Sequence, residues 1–189
     1  MFSIIEILKG MDGRLSNSKT QAAVWFFVLI VSYLVVTLLR VRSAGMTFLG
    51  GVSIPENLLY LSGFSVLTYG GAKAITQGQV NADPGAKPGA LAGSVRLANY
   101  FTDDADNVDF GDFQMTMITL FVFVIYVLQV FEFCGHIELA RDIVLPDIDS
   151  TLLSLFGLSQ SAYLFKKVAA VATVRSAASA PDGQKGSGR

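Results

Sequence analysis

The stretch from Ala22 to Leu39 runs for eighteen residues without a charged side chain. A helix of about 20 residues, rising 1.5 Å per residue, spans the hydrocarbon core of a bilayer, which is about 30 Å thick. Three further charge-poor stretches lie near residues 58–75, 115–133 and 152–174. The sequence therefore predicts an all-α integral membrane protein with four transmembrane helices.

The composition supports this class and argues against several others. Charged residues make up 15% of the chain, whereas an average soluble domain has about 25%. The net charge of −1 argues against a nucleic-acid partner, which requires a basic face. With one cysteine and one histidine in 189 residues, no intrachain disulfide is available and little remains for nucleophilic or metal chemistry. We therefore expect no enzymatic activity, no cofactor and no metal.

The second and fourth stretches carry the same pattern. Leu-Leu-x-Leu-x-Gly-x-Ser-x-x-x-Tyr-x-x-x-Lys occupies residues 58–73 and returns 94 residues later at 152–167. The first and third stretches share a glutamine followed twelve residues later by a tyrosine, at Gln21 and again at Gln114. Each copy contains an even number of spans, so both copies face the same way across the membrane. The repeat predicts two tandem, parallel helical hairpins.

The hairpins divide the chain into four parts. The first hairpin unit covers residues 1–75, with spans near 22–39 and 58–75. The second covers residues 113–174, with spans near 115–133 and 152–174. Between them, residues 76–112 are polar and rich in glycine and proline, which predicts a cytosolic linker with a short helix. A disordered tail is expected at 175–189. Most Lys and Arg residues lie on the side of the termini and linker, so we expect both termini in the cytoplasm.

The repeated motif supplies the candidate functional positions. Small and aromatic residues in spanning helices mark close helix packing, and lysines near helix ends reach lipid headgroups. The packing candidates are Gly63, Ser65, Tyr69, Gly157, Ser159 and Tyr163. The headgroup candidates are Lys73, Lys166 and Lys167. A broken-helix ion site at the Gly-x-Ser pairs is the alternative; packing is favoured because no acidic residue lies deep in a span.

Two loops invite a metal interpretation. Cys134, His136 and Glu138 alternate as ligands on an extended segment do, but no second cluster accompanies them, which favours an ordinary loop. The aspartates between Asp103 and Asp112 do not fit the spacing of a calcium-binding loop. A solvated turn that ends with Asp109 as a helix N-cap is the favoured interpretation.

The motifs also resemble a known group of proteins. Ser16-x-Ser18-Lys19-x-Gln21-x-x-x-Trp25 and the Pro55…Leu-Leu-x-Leu-x-Gly-x-Ser-x-x-x-Tyr-x-x-x-Lys pattern resemble small bacterial multi-span inner-membrane proteins of unassigned function. The resemblance covers the four spans. It implies a location in a bacterial inner membrane and no catalytic residues.

These observations favour a non-enzymatic membrane anchor or scaffold subunit of a larger assembly. Its expected partners are the lipid bilayer and either another protein or further copies of the chain. The alternative is a small oligomeric channel or transporter component. Burial of the motif residues within one protomer would favour the scaffold, whereas polar faces that converge on an axis would favour the channel.

Overall fold

Helices dominate the structure, a computed structural model that describes residues 4–10, 13–82, 96–102, 107–136 and 142–178. Five α-helices and one pair of two-residue strands follow each other along the described chain. In order they are α1 (Ile4–Leu8), α2 (Asn17–Ala44), β1 (Val52–Ser53), α3 (Glu56–Ala82), α4 (Phe110–Gly135), β2 (Ile143–Val144) and α5 (Ser150–Ala178). The all-α prediction is confirmed.

Each predicted span lies inside one long helix, but the helices extend further than predicted. Helix α3 continues seven residues beyond the predicted end at Ile75 and ends at Ala82. Polar residues are acceptable in a helix, and the first proline after the span is Pro84. Residues 76–82 are therefore helix and not linker. Helix α5 likewise extends to Ala178, past the predicted start of the tail, and residues 179–189 lie outside the described part. Of the four long helices, α2 and α4 are long and apolar enough to cross a membrane.

The four long helices form a bundle of two hairpins placed side by side. Helix α2 packs against α3, and α4 packs against α5, within each hairpin. Between the hairpins, α3 packs against α5 and α2 against α4. Helices α2 and α5 therefore face each other across the centre of the bundle.

The connections within the two hairpins meet at one end of the bundle. Strand β1 pairs in parallel with β2, with Val52 opposite Ile143 and Ser53 opposite Val144. The backbone N–H of Ile143 donates to the carbonyl of Gly51 at 2.8 Å, and the N–H of Leu145 donates to the carbonyl of Ser53 at 2.9 Å. Two residues per strand are too few to give an alternating pattern, so the sequence did not predict this pairing.

Large side chains fill the centre of the bundle. Trp25 of α2 is fully buried, with its ring centroid 6.3 Å from that of Tyr126 and 5.9 Å from that of Phe156, both edge-on. Edge-to-face pairs of this kind add about 0.5–1.5 kcal/mol each beyond the area that they bury. The remaining buried members of this cluster are Val28, Leu58, Leu61, Val122 and Ile148.

At the opposite end from β1 and β2, shorter segments cover the helix ends. Helix α1 returns to the start of α2, where the N–H of Ser16 donates to the carbonyl of Leu8 at 2.9 Å. A 3₁₀ turn at Leu97–Tyr100 lies across the starts of α2 and α4. The predicted short helix of the linker runs from Leu91 to Phe101; residues 91–95 lie outside the described part, and the rest contains the 3₁₀ turn at Leu97–Tyr100.

Candidate functional site

The repeated motif places its residues unequally. Ser65, Ser159 and Tyr163 are buried, whereas Gly63, Gly157 and Tyr69 are half-buried. The hydroxyl of Ser65 donates to the carbonyl of Leu61 within its own helix, at 3.1 Å. The motif residues thus lie partly between α3 and α5, and equivalent positions do not have equivalent surroundings. Their role in packing stays a prediction.

The three candidate headgroup lysines also differ; Lys73 and Lys167 end the two copies of the motif, and Lys166 stands beside Lys167. Lys73 is exposed, and the ammonium of Lys167 lies 5.2 Å from the ring centroid of Tyr163. Lys166 instead forms two ion pairs, with Asp109 at 2.5 Å and with Asp112 at 2.7 Å. Lipid-headgroup contact stays a prediction for all three, but Lys166 has protein partners that the sequence did not indicate.

The acidic partners of Lys166 lie at the start of α4. Asp109 is the N-cap, as predicted, and its Oδ1 accepts a hydrogen bond from the N–H of Asp112 at 3.0 Å. Partial burial alone would raise the pKa of Asp109, but the hydrogen bonds from Lys166 and from the amides of Asp112 and Gly111 outweigh it and lower the pKa below its usual value. The pair therefore ties the C-terminal half of α5 to the start of α4.

We expect acid to destabilise the bundle through this pair. Because the folded pKa of Asp109 is depressed, the carboxylate contributes stability that is fully present above the unfolded value of about 3.9 and is lost as the pH falls through the folded pKa. Asp109→Asn keeps a side chain that caps helices but removes the charge. The unfolding midpoint of this variant, measured in mixed micelles between pH 6 and pH 3, should therefore fall less steeply than that of the unmodified protein.

Lys166→Met should remove only the part of this acid-dependent increment that Lys166 supplies, because the amides of Asp112 and Gly111 still bond to Asp109. Its midpoint should fall less steeply than that of the unmodified protein and more steeply than that of Asp109→Asn. Lys73→Met, at an exposed lysine of the other hairpin, is the control and should leave the pH dependence unchanged. Equal acid sensitivity in Asp109→Asn and the unmodified protein would show that another group causes it.

A layer of buried amides lies deeper in the bundle. The Nε2 of Gln21 donates to the carbonyl of Met115 at 3.2 Å and to Oγ1 of Thr119 at 2.5 Å. The Nε2 of Gln160 donates to Oε1 of Gln21 at 2.7 Å. Gln21 and Gln160 are both 3% exposed. This layer joins α2 to α4 and to α5 through the side chains of Gln21, Thr119 and Gln160. Neither α4 nor α5 follows α2 directly in the sequence.

Replacing Gln21 by Leu should cost about 1 kcal/mol of unfolding free energy, because interhelical hydrogen bonds in membrane proteins contribute about 0.6 kcal/mol on average and up to about 1.7. Gln160→Leu should cost a similar amount. The double variant should cost less than the sum, since each single variant already breaks the amide pair. A denaturing-detergent titration followed by circular dichroism measures all three. Additive losses would show that the two amides act independently.

A second polar layer closes the bundle at the end where α2 and α4 begin. The Nδ2 of Asn17 lies 3.3 Å from the carbonyl of Tyr100 and 3.3 Å from Oδ1 of Asp112, and it donates to both. The hydroxyl of Thr116 donates to Oδ1 of Asn17 at 3.1 Å. The Tyr100 hydroxyl lies 3.0 Å from that of Thr20. The 3₁₀ turn of the linker is therefore held against the polar ends of both helices.

The other end of the bundle carries a buried arginine and an open cavity. Arg40 is fully buried, donates to the carbonyl of Gly50 at 2.7 Å and lies 5.5 Å from the ring centroid of Phe48. A cavity of about 500 Å³ lies nearby at the end of α4. Its lining residues are Gln129, Glu132, Phe133, His136, Pro146 and Asp147.

The loop that invited a metal interpretation is only partly described. Cys134 is half-buried and His136 is exposed, whereas Glu138 lies outside the described part. Among the described residues, no group of three or more His, Cys, Asp or Glu side chains is placed to hold a metal ion. The aspartates from 103 to 106 are also outside this part, and Asp109 and Asp112 are engaged with Lys166.

Sequence reasoning missed the polar residues that pair across helices. Gln160 stands in an otherwise apolar stretch and Asn17 in the first turn of α2, and neither position by itself indicates a partner. Lys166 was interpreted through its neighbour Lys167, because both stand at the end of the motif. A comparison of the chain with family models, with curated proteins and with solved structures found no match in any of the three.

Proposed function

We propose that this chain is a four-helix integral membrane protein that serves as a non-enzymatic anchor or scaffold subunit. The observation that carries the proposal is its filled interior. Trp25, Tyr126 and Phe156 meet in the middle of the bundle and are each fully buried. A packed aromatic centre favours a scaffold over a channel within one protomer, and it leaves the two ends of the bundle for contact with a partner.

The outer surface supports the membrane setting. Only 28% of the most apolar window of α2 and 17% of that of α4 is buried, whereas the core helix of a soluble protein is mostly buried, and this low burial supports the proposal. Polar side chains such as Gln21 and Gln160 lie inside, whereas many large apolar side chains outside the central cluster are exposed, among them Phe26 and Phe131. This distribution of side chains is compatible with a lipid environment, whereas large exposed apolar patches are rare on soluble monomers.

Helices α3 and α5 share this distribution. Leu67 on α3 is 68% exposed and Phe165 on α5 is 75% exposed, whereas Ser65 and Ser159 on the same helices are buried. Lysines near one end of each helix can extend their ammonium groups toward the headgroups. We infer that α3 and α5 also cross the bilayer, as the second members of the two hairpins.

Cysteine labelling tests the topology. In a Cys134→Ser background, single cysteines at Ser53 and Gln77 stand beyond opposite ends of the α3 span, at exposed positions. An impermeant maleimide applied to intact cells should label Ser53→Cys and should reach Gln77→Cys only after lysis. Equal labelling of both in intact cells would contradict a membrane-crossing α3, and it would also contradict a cytoplasmic location of the linker and termini.

The anchoring role is tested by what remains bound after gentle solubilisation. We expect a different protein in fixed stoichiometry with the chain, held through the end that carries the Leu97–Tyr100 turn. Ion flux through purified protein in vesicles, with no partner protein bound, would overturn the scaffold in favour of the channel or transporter component. The bacterial inner membrane is the setting that we propose for both, from the resemblance of the repeated motifs.

A further inference from the structure

We propose that a second copy of this chain docks against the bundle head to tail, so that the contact between the two hairpins is repeated between molecules. The starting point is how the hairpins meet. Helix α2 lies beside α4 and α3 beside α5. Strand β1 runs parallel to β2, and Val52 and Ser53 pair in the same order with Ile143 and Val144. The second hairpin is thus the first one displaced sideways. If a half-turn about the bundle axis related the two hairpins, α2 would lie beside α5 and α3 beside α4.

The buried positions support a sideways displacement. A two-fold interface buries the same residues on both partners, whereas a head-to-tail interface joins two different faces. On α2 the buried positions include Gln21, Trp25 and Val28, but the positions 93 residues later, Gln114, Ile118 and Phe121, are not buried. On α4 the buried positions include Thr119, Val122 and Tyr126, but the positions 93 residues earlier, Phe26, Leu29 and Tyr33, are not buried. The hairpins therefore contact each other through different faces.

Each hairpin consequently keeps one face that the other hairpin does not cover in the part of the chain that the structure describes. We call the outward face of the second hairpin the leading face; it carries Phe110, Gln114, Phe121 and Leu155. The outward face of the first hairpin is the trailing face, which carries Phe26, Tyr33, Val66 and Tyr69. Phe121 is 55% exposed, and Phe26 and Val66 are 67% and 58% exposed. By its position in the repeat, the leading face corresponds to the face that the first hairpin buries, and the trailing face corresponds to the face that the second hairpin buries.

Three residues of the internal contact recur on these open faces. Gln114 on the leading face has the position and identity of Gln21. On the trailing face, Tyr33 has those of Tyr126, and Tyr69 has those of Tyr163. The chain therefore places the polar and aromatic groups of its own interface on faces that are partly exposed in the described protomer, where Tyr33 also packs against the buried cluster that contains Val36 and Val52.

The hydrogen bonding of Gln21 can be repeated between copies. Gln21 donates to the backbone carbonyl of Met115, and the residue 93 positions before Met115 is Ala22. Gln114 can therefore donate to the carbonyl of Ala22 of the second copy. A backbone acceptor does not depend on the identity of the side chain, so this bond survives the divergence of the two halves.

The short sheet can also continue. Ile143 and Leu145 direct their N–H groups to β1, and successive residues of a parallel strand bond to opposite sides. Val144 thus directs its backbone groups to the outer edge of β2, where another strand can be added. Strand β1 of the second copy, set in the register that β1 and β2 already have, fits this edge.

Paired cysteines test the contact in native membranes. Gln114→Cys and Phe26→Cys, in a Cys134→Ser background, occupy the positions that correspond to Gln21 and Thr119 of the internal contact. Within one protomer they lie on opposite sides of the bundle. Oxidation with copper phenanthroline should therefore produce a ladder of dimers, trimers and larger species, whereas each single cysteine should produce no species larger than a dimer.

The control pair is Phe27→Cys with Leu120→Cys. These positions are also 93 residues apart and exposed, at 67% and 51%, but they lie on the side of the hairpins that faces neither neighbour. We expect no ladder from this pair. The native mass of the unmodified protein in lipid nanodiscs is the second measurement and should exceed that of one chain. A monomeric mass, or a ladder from the control pair equal to that from the test pair, overturns the proposal.

Discussion

Replacing Trp25 by Ala should cost about 3 kcal/mol of unfolding free energy, the largest loss that we expect from a single substitution in this bundle. Trp25 is fully buried and touches the rings of Tyr126 and Phe156 from two other helices. Truncation of a core Trp or Phe to Ala typically costs about 3–5 kcal/mol. We expect the lower end, because side chains released into lipid remain in an apolar medium and only the packing is lost.

The adjacent aromatic residue provides the control. Phe27 is 67% exposed, and Phe27→Ala should change stability by no more than about 0.5 kcal/mol, as surface substitutions usually do. The measurement is a denaturing-detergent titration in mixed micelles, with helix content followed by circular dichroism. Because Trp25 is the only tryptophan of the chain, its fluorescence reports the same transition in every variant that retains it. Equal losses at both positions would contradict the placement of Trp25 in the core and of Phe27 on the surface of the bundle.

The sequence was sufficient for the helices and for some of their ends. The charge-free run from Ala22 to Leu39 predicts its helix by itself, because an apolar stretch of this length is typical of a helix, which pairs its backbone groups internally. Asp109 was predicted as an N-cap from its place before an apolar run, and its carboxylate accepts a bond from the backbone of Asp112. Both features are local, and local signals are readable from a single sequence.

The pairings across helices were not readable. Gln21 and Gln160 are 139 residues apart, and their meeting depends on which face each helix turns inward. The place of Lys166 beside the repeated Lys167 suggested a headgroup lysine, whereas Asp109 and Asp112 approach it from another helix. Nor does a repeat reveal how its two copies are placed: a sideways displacement and a half-turn leave the same pattern in the sequence. These features depend on tertiary packing, which a single sequence does not specify.

The glycines of the repeated motif distinguish those two placements. A Cβ added at Gly157 would lie 3.6 Å and 3.9 Å from ring carbons of Phe64, which is ordinary contact, whereas a Cβ at Gly63 would have no neighbour within 4 Å among the described residues. Gly157→Ala should therefore be tolerated. Gly157→Leu should cost about 1–3 kcal/mol, because its further atoms meet the ring of Phe64 and overpack α3 against α5.

Gly63→Leu is the matched control, since it makes the same chemical change at the position 94 residues earlier, and we expect little loss. Phe64→Ala should restore stability to Gly157→Leu, because it removes the ring that the new side chain meets, and it should do nothing for Gly63→Leu. Detergent-induced unfolding of the four variants measures these differences. Two hairpins related by a half-turn would give both glycines the same neighbours and both substitutions the same cost. A selective loss at Gly157, reversed by Phe64→Ala, is the result that a sideways displacement predicts.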